Sequence, residues 1–292
     1  MLIFSPKARG IVLLGGLSQL FSSGVYAENY VDAGNVSVSW GLEELYGASP
    51  QTARLTNLTF RFNVYESTLH HDGTYFAQQF YFDNSESGEN TGYLGLQPRQ
   101  SKDGKNYLRA VFSSFISGTK TSDGNCSDGA DGGDGVSCGI EFPAVYGHPY
   151  EITVFKVGND TWKGEVQDMV TSEIIHIGSW SLPHHIGDLK PSGEGFAEYY
   201  DFYQPGFPQF VVPNCSQLAK INVLYGPVTT TDFGGGIGSV TNAYEYNSDE
   251  CLNKASGFSS QSKKISIAMP NGKTLSAYGN VVTRGFVSGA GD

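Results

Sequence analysis

Hydrophobic and polar residues alternate along most of this chain, in short runs separated by turn residues. The clearest case is Leu58, Phe60, Phe62 and Val64, whose side chains point to one side of a strand while the polar residues between them point to the other. The same pattern predicts strands over residues 35–40, 57–65, 74–82, 92–97, 107–115, 150–157, 161–169, 173–180, 195–203, 217–225, 239–246, 263–268 and 273–283. Only residues 41–46 suggest a short helix.

Turn residues support this interpretation, because each turn dipeptide sits between two predicted strands. The dipeptides are Asp72-Gly73, Asp103-Gly104, Asn159-Asp160 and Asn271-Gly272. Frequent hairpins without helical crossovers predict an all-β protein, an antiparallel β-sandwich of the jelly-roll or concanavalin-like kind. We expect a main sandwich domain over residues 28–205 and a β-rich C-terminal extension over residues 206–292, after the Pro/Gly-rich segment 204–208.

The first 27 residues have the pattern of a secretory signal peptide. Lys7 and Arg9 precede an apolar run, and Ala27 ends a small-x-Ala cleavage site. A membrane anchor is the alternative, but the run is shorter than a bilayer requires and no later segment is long and apolar enough for insertion. We expect a secreted or periplasmic protein after cleavage near Ala27.

The net charge of −11 argues against some partners. Nucleic acids and anionic membranes are bound by clustered Lys and Arg, and no such cluster occurs in the sequence. We favour a plain solubility role for the acidity, and an acidic recognition surface is the alternative.

Four cysteines in an exported chain allow three disulfide pairings. We favour local pairing of Cys126 with Cys138 and of Cys215 with Cys251, since each pair then closes one flexible Gly-rich segment. The absence of a CxxC spacing makes a zinc site the weaker alternative.

The segment between the first two cysteines, DGNCSDGADGGDGVSC, is rich in aspartate and glycine. Its carboxylates are hard oxygen ligands of the kind Ca²⁺ prefers, and Asp123, Asp128, Asp131 and Asp134 are the candidate ligands. The spacing matches neither an EF-hand loop nor a complete GGxGxD repeat. A calcium site and a solvated, disulfide-tied loop both stay open.

Several motifs resemble one family of secreted, mostly bacterial domains of unknown function. They are Gly92-Tyr93-Leu94-Gly95-Leu96-Gln97, Val111-Phe112-Ser113-Ser114-Phe115, Trp162-x-Gly164-x-Val166-x-Asp168, Ile177-Gly178, Glu198-Tyr199-Tyr200 and the acidic loop from Gly124 to Cys138. The resemblance covers roughly residues 55–205. It implies a concanavalin-like or jelly-roll sandwich often found beside carbohydrate-active modules, and no established reaction. Phe115 stands where that family usually has tryptophan.

Aromatic residues make up 13% of the chain and suggest carbohydrate as the ligand. Exposed rings bind the apolar faces of sugars while amides and carboxylates bind the hydroxyls. We therefore expect a non-catalytic secreted binding protein for a polysaccharide or cell-surface glycan, with Tyr93, Gln97, Trp162 and Tyr200 in the binding surface. Packing in the core is the alternative for each single ring.

The alternative function is an extracellular carbohydrate-active enzyme, a glycoside hydrolase or lyase. No ExDxxE strand motif occurs, so its carboxylates would have to come from separate strands. Glu198, Glu66 and Asp168 are the candidate catalytic residues. A solvated carboxylate on a strand is the simpler interpretation of each.

Overall fold

The computed structural model describes residues 30–84, 89–269 and 271–289. The predicted signal peptide lies outside the described residues. Within them, strands form almost all of the regular structure, and no helix is long and apolar enough to cross a bilayer. The strands are β1 (Val31–Asp32), β2 (Asn35–Leu45), β3 (Asn57–Val64), β4 (Thr74–Asn84), β5 (Thr91–Lys102), β6 (Lys105–Ser114), β7 (Cys126–Ala130), β8 (Gly133–Pro143), β9 (Pro149–Lys156), β10 (Thr161–Asp168), β11 (Ile174–Ser181), β12 (Ile186–Leu189), β13 (Ser192–Tyr199), β14 (Val211–Val212), β15 (Ile221–Thr230), β16 (Gly236–Tyr246), β17 (Ser259–Ala268) and β18 (Thr274–Arg284). Two short 3-10 turns lie at Cys215–Gln217 and Asp232–Gly234.

One continuous antiparallel sheet contains sixteen of these strands. Its main path runs β11-β10-β9-β3-β15-β16-β2-β13-β4-β5-β6-β8-β7, with β12 added on β4 and the β17–β18 hairpin joined to β15 through β18. Strands β1 and β14 form a separate two-stranded pair. The antiparallel pairing agrees with the many hairpins that the turn residues predict.

The sheet folds back so that its two ends form the two layers of a sandwich. Trp180 of β11 stacks on Phe112 of β6 with ring centroids 4.6 Å apart, and Trp162 of β10 meets Phe82 of β4 at 5.0 Å. These rings are fully buried and belong to one large hydrophobic core. The prediction of an all-β antiparallel sandwich is confirmed.

Strand β3 shows how the sequence pattern produces this core. Leu58, Phe60 and Phe62 are 0%, 1% and 0% exposed, as their alternation with polar residues predicts. The helix predicted at residues 41–46 is wrong, because β2 continues to Leu45. The strand is hydrogen-bonded on both sides, by β13 and by β16, and this pairing outweighs the local preference for helix.

The acidic segment forms an ordered hairpin. Strands β7 and β8 pair there, and the disulfide joins Cys126 to Cys138, which lie directly opposite each other in the register. Asp131 and Gly132, with φ of 48° and 77°, form the two-residue turn, a conformation that an Asp-Gly pair adopts readily. The sulfur atoms pack on the backbone of Gly178 in β11, where a Cβ atom would lie only 2.6 Å from the Cys126 sulfur.

The segment after residue 205 contributes β15 and β16 to the middle of the sheet, between β3 and β2. The second disulfide, Cys215–Cys251, lies here and confirms the local pairing. A buried ion pair between Arg284 and Glu245 holds β18 against β16. Their side chains are 1% and 4% exposed, and Arg284 Nε lies 2.7 Å from Glu245 Oε1. Strand β17 pairs with β18 alone within the described residues, so its other edge is open.

Candidate functional site

A second, smaller hydrophobic cluster lies on the side of the β13-β4-β5-β6 sheet that faces away from the core. Tyr75, Tyr93, Phe115, Phe196 and Tyr200 form it, and we call this surface the aromatic face. Period-two alternation places it there, since the neighbouring residues of β4 and β5 point into the core. Ring centroids are 5.3 Å apart for Tyr75 and Tyr93, and 4.9 Å apart for Tyr93 and Phe115.

A polar network borders the aromatic face at one end. Arg99 Nη1 donates a hydrogen bond to Tyr200 Oη at 3.3 Å, and Arg99 Nη2 donates to the Gln97 amide oxygen. Carboxylate oxygens of Glu141 and Asp72 lie 3.6 Å and 3.7 Å from Arg99 Nε. Of the predicted ligand-binding residues, Gln97 and Tyr200 are partly exposed on this side of the sheet, whereas Tyr93 lies on the same side but is only 7% exposed.

Glu198 extends from β13 onto the same face, directly opposite Tyr75 of β4 in the strand register. Its carboxyl makes no hydrogen bond or ion pair with any described residue. Burial, together with the negative charge of Asp131, raises the pKa of Glu198 from 4.5 to about 7. This carboxyl keeps its proton at a pH where ordinary glutamates are ionised.

The turn of the β7–β8 hairpin brings Asp131 onto the aromatic face. Tyr93 Oη donates to both carboxylate oxygens of Asp131, at 3.0 Å and 3.1 Å. Burial first, and then the Asp131 charge, raise the pKa of Tyr93 far above the usual tyrosine value, so its hydroxyl remains a donor. The hydroxyl of Tyr75 is buried and has no partner among the described residues, which leaves a polar group available to water or a ligand.

Trp162 is a correction to the predicted binding surface. Its ring is 1% exposed and lies in the core between the layers, edge-on to Phe82 and below the ammonium group of Lys156. Trp162 shares the inward side of β10 with Gly164 and Val166, so no ligand on the protein surface reaches it.

The three candidate catalytic carboxylates do not converge. Glu66 follows β3 in a turn, is 65% exposed and lies 3.8 Å from His70 Nε2. Asp168 ends β10 in the opposite layer and pairs with His148 Nδ1 at 2.8 Å. Burial alone would raise the pKa of Asp168, but hydrogen bonds from His148 and two backbone N–H groups outweigh it and lower the pKa. Only Glu198 lies on the aromatic face.

The four aspartates proposed as calcium ligands are not gathered at one point. Asp123 accepts hydrogen bonds from His176 at 2.6 Å and Ser179 at 3.0 Å, whereas Asp131 is turned to Tyr93. Asp128 and Asp134 are exposed along the hairpin. Within the described residues, no group of three or more His, Cys, Asp or Glu side chains is arranged to hold a metal.

Two cavities in the described part of the chain have linings that include none of the rings of the aromatic face. One is an open groove of about 760 Å³ whose lining includes Tyr65, Asn222 and Lys263, and the other is a small cleft of about 10 Å³ beside Asp168. On the aromatic face, Tyr75 and Tyr93 are buried, whereas Phe115, Phe196 and Tyr200 are partly exposed and leave ring area that a ligand could contact.

Sequence reasoning missed how Tyr75, Phe196 and Asp131 contribute to the site. Tyr75 and Phe196 lie in predicted strands, but their position beside Tyr93 depends on the pairing order β13-β4-β5, which no local pattern reveals. For Asp131 a signal existed, because Asp131-Gly132 is the dipeptide typical of a two-residue hairpin turn.

Comparisons with known proteins assign no family. No protein-family model matches the chain. One curated relative is the chloroplastic acetyl-coenzyme A carboxylase carboxyl transferase subunit beta of Pinus thunbergii, which is 27% identical over 86 residues. The match covers 29% of this chain and 27% of that protein, well under half of either. Among solved structures, scytalido-glutamic peptidase with a peptide-based transition-state analogue covers 88% of this chain and all of its own at 11% identity and a TM-score of 0.42. SCP-B, of the eqolisin family of peptidases, in complex with the tripeptide Ala-Ile-His, gives the same coverage and identity at a TM-score of 0.41. Likenesses this low carry no argument about activity.

Proposed function

We propose that this protein is a secreted binding protein that holds an extended carbohydrate chain, a polysaccharide or a cell-surface glycan, on its aromatic face. The observation that carries the proposal is the cluster of five rings on the side of the sheet away from the core, bordered by amide, guanidinium and carboxyl groups. Rings supply contact area for the C–H faces of sugars, and the polar border supplies partners for hydroxyls.

Two further observations support this proposal. Export is favoured by the signal-like N-terminal sequence and by two disulfides, which form and persist in oxidising compartments. The partial exposure of Phe115, Phe196 and Tyr200 leaves ring area for the C–H faces of sugars to contact.

Binding to a panel of soluble polysaccharides, followed by calorimetry on any hit, tests the proposal. Partly exposed rings are the best positions to change, so we expect Tyr200→Ala and Phe115→Ala each to weaken binding at least about tenfold, about 1.4 kcal/mol. Tyr278→Ala removes a ring that is 49% exposed on β18, a strand that pairs with none of β13, β4, β5 and β6, and is the matched control.

The proposal fails if no polysaccharide or glycan in the panel binds, or if the control variant loses as much affinity as the two site variants. Repeating each titration with calcium and with chelator decides whether a cation contributes to binding. A calcium requirement would also show itself as a higher melting temperature with the ion present.

A further inference from the structure

A row of four side chains crosses the aromatic face from β13 to the β7–β8 hairpin. Glu198 stands opposite Tyr75, the Tyr75 ring meets the Tyr93 ring at 5.3 Å, and Tyr93 Oη holds Asp131. Two carboxyl groups thus lie at the two ends of a pair of tyrosines. The negative charge of Asp131 contributes to raising the pKa of both Glu198 and Tyr75, so these groups are electrostatically coupled.

The two carboxyl groups have opposite environments. Glu198 is half-buried among rings and lacks any hydrogen-bond donor in the described part of the chain, and such a site favours the neutral acid. Asp131 is exposed, and its two carboxylate oxygens share the single O–H of Tyr93. A neutral acid and an exposed carboxylate on one face supply the proton donor and the proton acceptor that acid–base catalysis needs.

Glu198 has no evident role in stabilising the fold, since it makes no hydrogen bond or ion pair with a described residue that would compensate for its burial. Asp131 forms part of the hairpin turn, but the hairpin is also closed by the Cys126–Cys138 disulfide and the β7–β8 ladder. Tyr75 is 3% exposed, and its hydroxyl has no hydrogen-bond partner among the described residues, so a water or a polar ligand is the partner we expect for it.

We propose that the aromatic face also cuts the carbohydrate chain it binds, with Glu198 as general acid and Asp131 as general base in hydrolysis of a glycosidic bond. This inference rests on the proposed function, because the rings must first hold the chain across the row. Glu198 gives its proton to the glycosidic oxygen as the bond from that oxygen to the anomeric carbon breaks. A water oxygen bonds to the anomeric carbon, and Asp131 takes the proton that this water releases. Proton exchange with solvent restores both groups.

The charge at the site suits hydrolysis of an acetal. Cleavage of a glycosidic bond develops positive charge on the sugar ring, which the Asp131 carboxylate stabilises.

The experiment incubates the purified protein with laminarin, xylan, carboxymethylcellulose, pectin, chitosan and, as a protein probe, casein. New reducing ends and new amino groups are measured, and binding is followed in parallel. We expect reducing ends from a polysaccharide that binds, with a rate lowered at least about 100-fold by Glu198→Gln and by Asp131→Asn. Glu194→Gln, on the same face of β13 but exposed, is the matched control and should keep the wild-type rate.

The outcomes separate this inference from the proposed function. Binding without new reducing ends leaves the binding protein and overturns the hydrolase. Equal rates for wild type and both site variants overturn the assigned roles, and release of amino groups from casein overturns the glycosidic class. If no polysaccharide binds, both proposals fail. Circular dichroism of each variant tests whether a variant that has lost activity is still folded. We also expect activity to decline above a pH of about 7, where Glu198 loses its proton.

Discussion

Replacing Glu198 by glutamine should make the folded protein more stable at alkaline pH. In the folded chain the pKa of Glu198 rises from 4.5 to about 7, because burial and then the charge of Asp131 disfavour the ionised form. Below a pH of about 4.5 the carboxyl is protonated in both folded and unfolded chains. Between 4.5 and 7 only the unfolded chain releases its proton, so wild-type stability falls as pH rises. Above 7 the folded protein carries the full cost of a poorly solvated charge.

The size of this cost follows from the pKa. Each pKa unit corresponds to about 1.4 kcal/mol, so a rise from 4.5 to about 7 corresponds to about 3 kcal/mol. The side chain is only partly buried, and screening by solvent reduces the figure to about 1–2 kcal/mol. Glu198→Gln removes the cost while keeping the shape of the side chain. For a chain of this size we expect a melting temperature about 2–8 °C higher at pH 8.

Differential scanning calorimetry at pH 4 and pH 8 measures the effect. Glu194→Gln on the same strand is the control, since that side chain is exposed. The reasoning is refuted if Glu198→Gln gains no stability over wild type at pH 8, if it gains as much at pH 4 as at pH 8, or if Glu194→Gln gains the same amount.

Two predictions concern the fold itself. Gly92→Ala would place a Cβ atom 2.4 Å from the Phe80 ring and should lower the free energy of unfolding by about 1–3 kcal/mol in chemical denaturation. At Gly124 an added Cβ atom would meet no atom within 4 Å, so Gly124→Ala should change the free energy of unfolding by less than about 0.5 kcal/mol. Equal effects of the two changes would contradict the packing of Gly92 against Phe80. Glu245→Gln leaves the buried guanidinium of Arg284 without its counter-charge and should lower the free energy of unfolding by about 3–5 kcal/mol. Chemical denaturation should show a lower midpoint at an unchanged slope. An unchanged midpoint would show that the ion pair does not stabilise the fold.

The sequence predicted the strands well because their signals are local. Leu58, Phe60 and Phe62 show a period of two within one strand, and each predicted strand overlaps an observed one. Pairing of cysteines close in the chain was also predictable, since each pair brackets a Gly-rich segment. The error at residues 41–46 arose where non-local hydrogen bonds on both edges of β2 determine the conformation.

The candidate site depends on non-local pairing and was predicted only in part. Tyr93, Gln97 and Tyr200 were expected on one surface and do lie together, and Glu198 was among the expected carboxylates. Trp162 was misplaced, because alternation shows that a strand has two faces without showing which face is covered by another layer. Asp131 was assigned to a metal loop, since its position depends on how the hairpin folds over the sheet.

The open edge of β17 has a consequence for how the molecule behaves at high concentration. An unpaired strand edge offers backbone N–H and C=O groups to any other chain, and proteins limit such strand addition by placing charge there. Lys263 and Lys264 stand in the exposed part of this strand. Repulsion between the ammonium groups of two molecules opposes edge-to-edge docking, so these lysines limit self-association at the edge that the described strands leave unpaired.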